Sequence, residues 1–473
     1  MEGNTTLYGA IYGETDAKIA KMATLFWSLK ADGDTVTLLR IHNYMGREHE
    51  YYDQCAEDCK FDFSTFRPNQ LAQILDSNPT RKVEIRTGRW TVEQSAVFAS
   101  RPYPLHLTLG PWLSFKDKGK MFVKILKERK SSFGSLGIDF DYLGGPLSYS
   151  NVKRIVELDF FEELRTSNLH KDTFPWPFSA NVNVLHCSIE AAQVVPNDFK
   201  ELEVVTGDLS LKVMLDADNK CDELAISFFN RVAELGHFEK LAFAAGSLPA
   251  YNGDGFDNFS AVVEALIRAI RANTKLSYLD LSDTCYKLDW PVHFEAIFQA
   301  VEEHKGLRTF VVEVPSSEYY WRNESCWFNY SLLEQLLSRN RYIEVVDSSG
   351  KRLSNGPAID NLYALNRFYC GATNLVKEPS PLRSLLASSA LVSNASANFQ
   401  RTALVLEMHT DVLCYWIQDA VDFDPVDAAG LGVTGNGASS DAHSPEVNPT
   451  DSLKRKPTAE VAGVAKKSAR DEV

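Results

Sequence analysis

Asp216, Asp218 and Asp222 come closest to a metal-binding spacing, because alternating carboxylates open a calcium loop. The glycine that turns such a loop and its terminal glutamate are missing, so the three read as a solvated turn. Gly119-Lys120 lacks the preceding glycine and the following hydroxyl of a phosphate loop, and neither HExxH nor GxSxG occurs. Gly253-Asp254-Gly255 before Asn258 reads as a turn and a helix cap. His106 and His186 have no partner at catalytic spacing. Of the 8 cysteines only Cys55 and Cys59 are close together, and no second pair completes a zinc site. The expectation is a non-enzyme with no catalytic residues, no metal and no cofactor.

What remains is recognition without covalent chemistry. Ser316–Trp327 (SSEYYWRNESCW) concentrates Tyr319, Tyr320, Trp321, Arg322 and Trp327, the residue types that dominate binding hot spots. It reads either as a recognition loop or as an aromatic flap that covers the edge of the fold. In the tail, Lys454-Arg455 is followed after ten residues by Lys466-Lys467 and Arg470. That is the spacing of a bipartite nuclear import signal, which would take an import carrier as partner.

The elements that would position these residues recur. Ala261–Asn273 is amphipathic and leads into Leu276, Leu279 and Leu281; Phe294–Lys305 leads in the same way into Leu307, Phe310 and Val312. Helix Ser227–Leu235 precedes Phe238–Phe243, and Ser331–Arg339 precedes Ile343–Val346. First apolar positions fall 38, 31 and 36 residues apart. Asn273 and Asn340 follow their helices, where asparagine tolerates the left-handed conformation of a C-cap. This helix–strand grammar predicts an irregular leucine-rich-repeat solenoid of the α/β class. In it the strand residues between the apolar positions line a concave face: Glu84, Arg86, His106, Thr108, Tyr278, Asp280, Ser282, Thr309, Glu313 and Asp347.

Residues 1–67 hold a helix at Asp16–Leu29 and a strand at Thr35–Ile41, and read as an N-terminal cap. The solenoid then runs over 68–350. Its first strands are Lys82–Arg86, Leu105–Leu109 and Leu136–Phe140, with helices at Asn69–Ser77, Thr91–Ala99 and Lys116–Arg129. Between 141 and 217 the pattern weakens, with strand-like pieces at Ile155–Leu158, Val182–Leu185, Leu202–Val205 and Leu209–Leu215. Shorter repeats and an inserted loop at Asp172–Ala180 both account for that. Residues 351–420 read as a helical C-terminal cap and 421–473 as a disordered tail rich in Ala, Gly, Ser and Pro.

Four phrases carry a resemblance to a known group. Asn78-Pro79-Thr80-Arg81, Glu93-Gln94-Ser95 followed by Arg101-Pro102-Tyr103-Pro104, Ser131–Leu136, and Leu365-Asn366-Arg367 resemble leucine-rich-repeat-like proteins found in large numbers in diatoms. The likeness spans most of 68–420 and implies a fold of the ribonuclease-inhibitor-like class, without an activity. Repeats of that class place Asn or Cys three residues after the third inward strand position. Thr284 and Pro315 stand there instead, so no regular asparagine ladder is expected at that place.

The net charge of −14 leaves no sustained basic stripe for nucleic acid. No apolar run suffices for a bilayer, and the first residues lack a secretory pattern. The expected chain is cytoplasmic or nuclear, a protein-interaction scaffold with a protein partner and neither nucleic acid nor membrane. Two alternatives stand beside it. A ubiquitin-ligase substrate-recognition subunit would need an F-box-like N-terminal module, which 1–67 does not display. A small-GTPase regulator would need an arginine directed at the nucleotide, and none is singled out.

Overall fold

The computed structural model describes residues 11, 13–30, 37–42, 61–140, 144–215, 222–247, 259–282, 290–313 and 328–377, with 383–385, 387–388, 403, 407, 409–412 and 414. Two compact units divide the chain, Met1–Val412 and Leu413–Val473; of the second only Cys414 is described. The expected import signal, the aromatic segment Ser316–Trp327 and the tail lie outside the described residues, as do Asp216 and Asp218.

Eleven strands form one parallel sheet in chain order. They are β1 (Leu38–Ile41), β2 (Lys82–Trp90), β3 (Leu105–Phe115), β4 (Gly134–Asp139), β5 (Phe161–Ser167) and β6 (Val184–Glu190), then β7 (Asp208–Leu215), β8 (Lys240–Ser247), β9 (Tyr278–Asp280), β10 (Thr309–Val311) and β11 (Glu344–Val346). A parallel neighbour cannot be reached by a hairpin, so each connection crosses back over one face. Ten of these crossovers or flanks are α-helices in the first instance: α1 (Asp16–Trp27), α2 (Pro68–Ser77), α3 (Val92–Ala99), α4 (Lys120–Glu128), α5 (Tyr149–Val156), α6 (Pro196–Lys200), α7 (Asp222–Leu235), α8 (Phe259–Ala272), α9 (Phe294–Glu303) and α10 (Tyr330–Arg339). A further helix, α11 (Pro357–Lys377), follows β11.

The register aligns one apolar ladder through every strand. Leu39 pairs with Val83, then Leu107, Leu136, Leu164, Leu185, Leu209, Leu241, Leu279, Phe310 and Val345. All from Val83 onward are buried, in one core with the apolar faces of the helices. Full burial of such a side chain is worth ~2 kcal/mol. Alternate strand residues face away from this core, so the sheet has a helix face and an open face. Among the described residues no helix is long and apolar enough to cross a membrane.

The middle of the chain consists of shorter repeats. Leu164 to Leu185 spans 21 residues in register, and a 3-10 turn at Trp176–Ser179, within the stretch expected as an insertion, takes the helix position. Ile155–Leu158 is not a strand: Val152, Ile155 and Val156 are the buried face of α5. The strand of that repeat is β5, and Leu202–Val205 is irregular backbone ahead of β7.

Polar side chains tie each repeat to the one before. Helix ends leave carbonyls without intrahelical partners. Arg81 donates to the carbonyls of Trp27 and Leu29 after α1, and Arg129 to those of Ala99, Arg101 and Tyr103 after α3. Arg231 Nε reaches Leu202 O at 2.9 Å. Farther along, Asn273 Nδ2 donates to Val232 O at 3.0 Å and Ala269 O at 2.8 Å, while its Oδ1 accepts from Phe238 N at 2.9 Å. His304 Nε2 donates to Asn273 O at 2.9 Å, and Nδ1 accepts from Leu307 N at 2.9 Å, which fixes the neutral Nε2–H tautomer. Asn340 Nδ2 reaches Val301 O, and Asn366 Nδ2 reaches Leu337 O. The expected left-handed caps are therefore corrected. Asn340 has φ −106, and among the described residues only Lys118 and Asn168 are non-glycine with positive φ. The asparagines serve through their buried side chains.

Candidate functional site: the open face of the sheet

Two rows of side chains flank the apolar ladder on the open face. One row holds Lys82, His106, Ser135, Glu163, Val184 and Asp208 on β2 to β7, continuing through Lys240, Tyr278, Thr309 and Glu344. The other begins Arg40, Glu84, Thr108, Gly137, Arg165 and His186 on β1 to β6. Parallel pairing at constant register stacks them at ~4.8 Å per strand.

On β1 to β8 these groups are arranged in two heights. Glu84 lies low, 16% exposed, and accepts from Arg40 Nε at 2.8 Å and from Arg86 Nε. Both arginines stand up from it, 45% exposed. Glu163, 26% exposed, holds Arg165 Nε, with Arg165 53% exposed. Asp208, 23% exposed, holds Lys240, 52% exposed, at 2.9 Å. In each of these pairs the carboxylate is the lower partner and the cation the one that meets solvent.

Burial raises the Glu84 carboxyl, but its bonds to Arg86 and Arg40 and their charges outweigh that and hold it below its ordinary value. Asp139 on β4 moves the other way. Its burial dominates, and nearby Glu84 adds to the rise; a bond from Ser167 Oγ at 2.8 Å and the charges of Arg86 and Arg165 only partly oppose it. Burial and the neighbouring Arg165 lower His186, against Glu163 and Asp208.

Between the two arginine walls the floor is low. Gly137 has no room for a side chain, since a Cβ there would lie 2.8 Å from Thr108 Oγ1. Gly110, where β2 and β3 shift register, brings its Cα against Arg86: a Cβ would meet Arg86 Cα at 2.7 Å. Past this shift β3 continues to Trp112, which is 49% exposed and pairs with Thr87, one residue beyond Arg86. Leu113 is buried in the core, so Trp112 faces away from it.

Of the residues expected on this face, Glu84, Arg86, His106 and Thr108 take their places on β2 and β3. His106 Nδ1 lies 2.9 Å from Ser135 Oγ. Tyr278, Asp280 and Thr309 are brought together on β9 and β10: Thr309 pairs with Tyr278, and Tyr278 Oη donates to Asp280 Oδ2 at 3.1 Å. Burial and Asp280 push the Tyr278 hydroxyl up to about 12. Glu313 is exposed just after β10. Ser282 differs from expectation: it is buried and donates to Asp280 Oδ1 at 2.6 Å. Asp347 turns into its own loop, accepting from Ser349 and Lys351. Tyr319, Tyr320, Trp321, Arg322 and Trp327 lie outside the described residues. The sequence reading missed Arg40, Glu163, Arg165 and Trp112; the alternation Leu164-Arg165-Thr166 was the available signal for β5.

Among the described residues no group of three His, Cys, Asp or Glu side chains is placed to hold a metal ion. Cys187 is buried, and burial pushes its thiol up to about 12, away from the reactive thiolate. No protein-family model matches the chain, and no curated protein is significantly similar to it. The arrangement offers shaped, charged and aromatic contact area.

Proposed function

We propose that the chain is a non-enzymatic protein-interaction scaffold of leucine-rich-repeat type, with the open face of the sheet as its concave binding surface. The observation that carries this reading is the pair of register-aligned rows of half-exposed polar and aromatic side chains. They cross strand after strand on a face without a helix layer among the described residues. A rigid surface whose side chains are fixed by their own ion pairs loses little entropy when a partner docks. Trp112, with Arg86 and Arg165, supplies the residue types that concentrate binding energy. The N-terminal and C-terminal cap roles of 1–67 and 351–420 belong to the same proposal. So does nuclear or cytoplasmic residence, with Lys454, Arg455, Lys466, Lys467 and Arg470 read as the import signal.

The test is affinity capture with wild type, with Trp112→Ala on the open face, and with Met22→Ala on the exposed side of α1. A partner lost with Trp112→Ala and kept with Met22→Ala supports the reading. A partner kept by Trp112→Ala and by an Arg86→Ala/Arg165→Ala variant, each folded by circular dichroism, contradicts it.

A further inference from the structure

We propose that the open face across β1 to β5 docks an acidic segment of the partner protein, its carboxylates bridging Arg86 and Arg165 over the glycine-floored trough. The inference rests on the scaffold reading and gives the partner a chemistry. Arg40, Arg86 and Arg165 each spend Nε on a carboxylate of the lower layer. Their terminal nitrogens make no hydrogen bond to the described residues. A guanidinium held by Nε is fixed in plane and presents its two end-on N–H groups as a fork, the geometry that matches a carboxylate.

The charge order supports the same partner. The chain carries −14 overall, yet in the ion pairs of β1 to β8 the partner that rises into solvent is the cation, Arg40, Arg86, Arg165 or Lys240, with Glu162 the exposed carboxylate on β5. A partner meets these cations before the carboxylates beneath them. A phosphate backbone is a poorer match, because no basic stripe extends the site.

Spacing makes the inference specific. Arg86 on β2 lies three strand spacings, ~14 Å, across the sheet from Arg165 on β5 and two residues, ~7 Å, further along the strand, ~16 Å in all. An extended peptide advances ~3.4 Å per residue. Two acidic residues four apart on one side of such a peptide, ~14 Å, come within side-chain reach of both forks, above Thr108, Gly110 and Gly137. Trp112 stands beside Arg86 to cover an apolar neighbour. Asp139, between the two forks, is a carboxylate without a cation bonded to it, and it opposes the ligand.

The experiment is fluorescence polarisation of the full chain with a labelled octapeptide of glycine and serine carrying two glutamates four residues apart. The same peptide with glutamines and an eight-nucleotide single-stranded DNA run beside it. The expected result is binding of the glutamate peptide at least ~10-fold tighter than the glutamine peptide, weakening as salt rises. Arg86→Ala and Arg165→Ala each lower it ~10-fold, Arg165→Lys less, and Asp139→Asn raises it. Equal binding of both peptides, unchanged binding by the arginine variants, or tighter DNA binding through the same arginines overturns the proposal. If the glutamate peptide fails while a captured partner still depends on Trp112, the scaffold reading stands and the acidic-segment inference falls.

Discussion

The repeats before β7 and those from α7 onward meet the same backbone demand with different side chains. In the first region the helices after α2 are short, 8 residues in α3, 9 in α4 and 5 in α6, and the strands reach 9 residues in β2 and 11 in β3. A short helix ending in an irregular turn scatters its free carbonyls. Arg129 gathers those of Ala99, Arg101 and Tyr103, which only a long side chain with five donors can do. In the second region the helices run to 14 residues in α7 and α8, and β9 to β11 have 3 each. Arg231 of α7 still uses a guanidinium, and from α8 onward the neighbouring carbonyl falls within reach of a short amide or an imidazole. The lesson is that the tie between repeats follows the geometry of the helix end. The open faces differ too: raised cations in the first region, and Ala242, Val311 and Val346 among the corresponding places in the second.

The largest effect expected from breaking this comparison is at Asn273. Asn273→Leu leaves the Phe238 N–H buried without its partner and takes from the Val232 carbonyl one of its two donors, Gly236 N remaining, and should cost about 3 kcal/mol, measured by urea unfolding. Arg129→Ala should cost about 2 kcal/mol, because some of its carbonyls gain water. Arg129→Lys should recover less than half of that, having one compact charge in place of a fork. A full recovery by lysine would mean that charge at the helix end, not reach, is what matters. Smaller again is Arg165→Ala, expected to change stability by no more than about 0.5 kcal/mol while binding of the acidic peptide falls ~10-fold. That would separate the tie residues from the contact residues.

The smallest effect concerns Asp139. Its folded value is raised, chiefly by burial, so between its ordinary and its raised value the folded chain holds more proton than the unfolded one. Stability therefore falls as pH rises through that window. Asp139→Asn should raise the melting temperature slightly at pH 7, and the advantage should vanish below the ordinary aspartate range. A variant that is less stable at pH 7 would contradict this.

Much of the fold was legible because apolar spacing survives in short strands: Leu276, Leu279 and Leu281 are all buried. The cassette reading failed at β5, where Phe160-Phe161 and Glu162-Glu163 break the two-residue alternation and the nearby apolar face of α5 imitates a strand. It stopped β3 early because Gly110-Pro111 reads as a terminator, whereas the close approach of Arg86 makes that glycine a register shift within the sheet. Trp112 was lost with it. Asn273 was singled out for the wrong reason, since its role depends on Phe238 and Val232, which are far away in sequence. Arg81, Gln94 and Asn366, all inside the phrases that carried the family resemblance, bond across repeats, Gln94 to the carbonyls of Phe63 and Phe66. The open-face site was half legible: outward positions followed from alternation, but the two heights depend on which cross-strand partner each carboxylate meets.

The most direct measurement is hydroxyl-radical footprinting of the full chain with and without a captured partner. The account predicts that Trp112 and Tyr278 lose reactivity on binding, while Met22 on α1 and Tyr149 on α5 keep theirs. Protection of Met22 and Tyr149 with Trp112 and Tyr278 unchanged would place the partner away from the open face and contradict it.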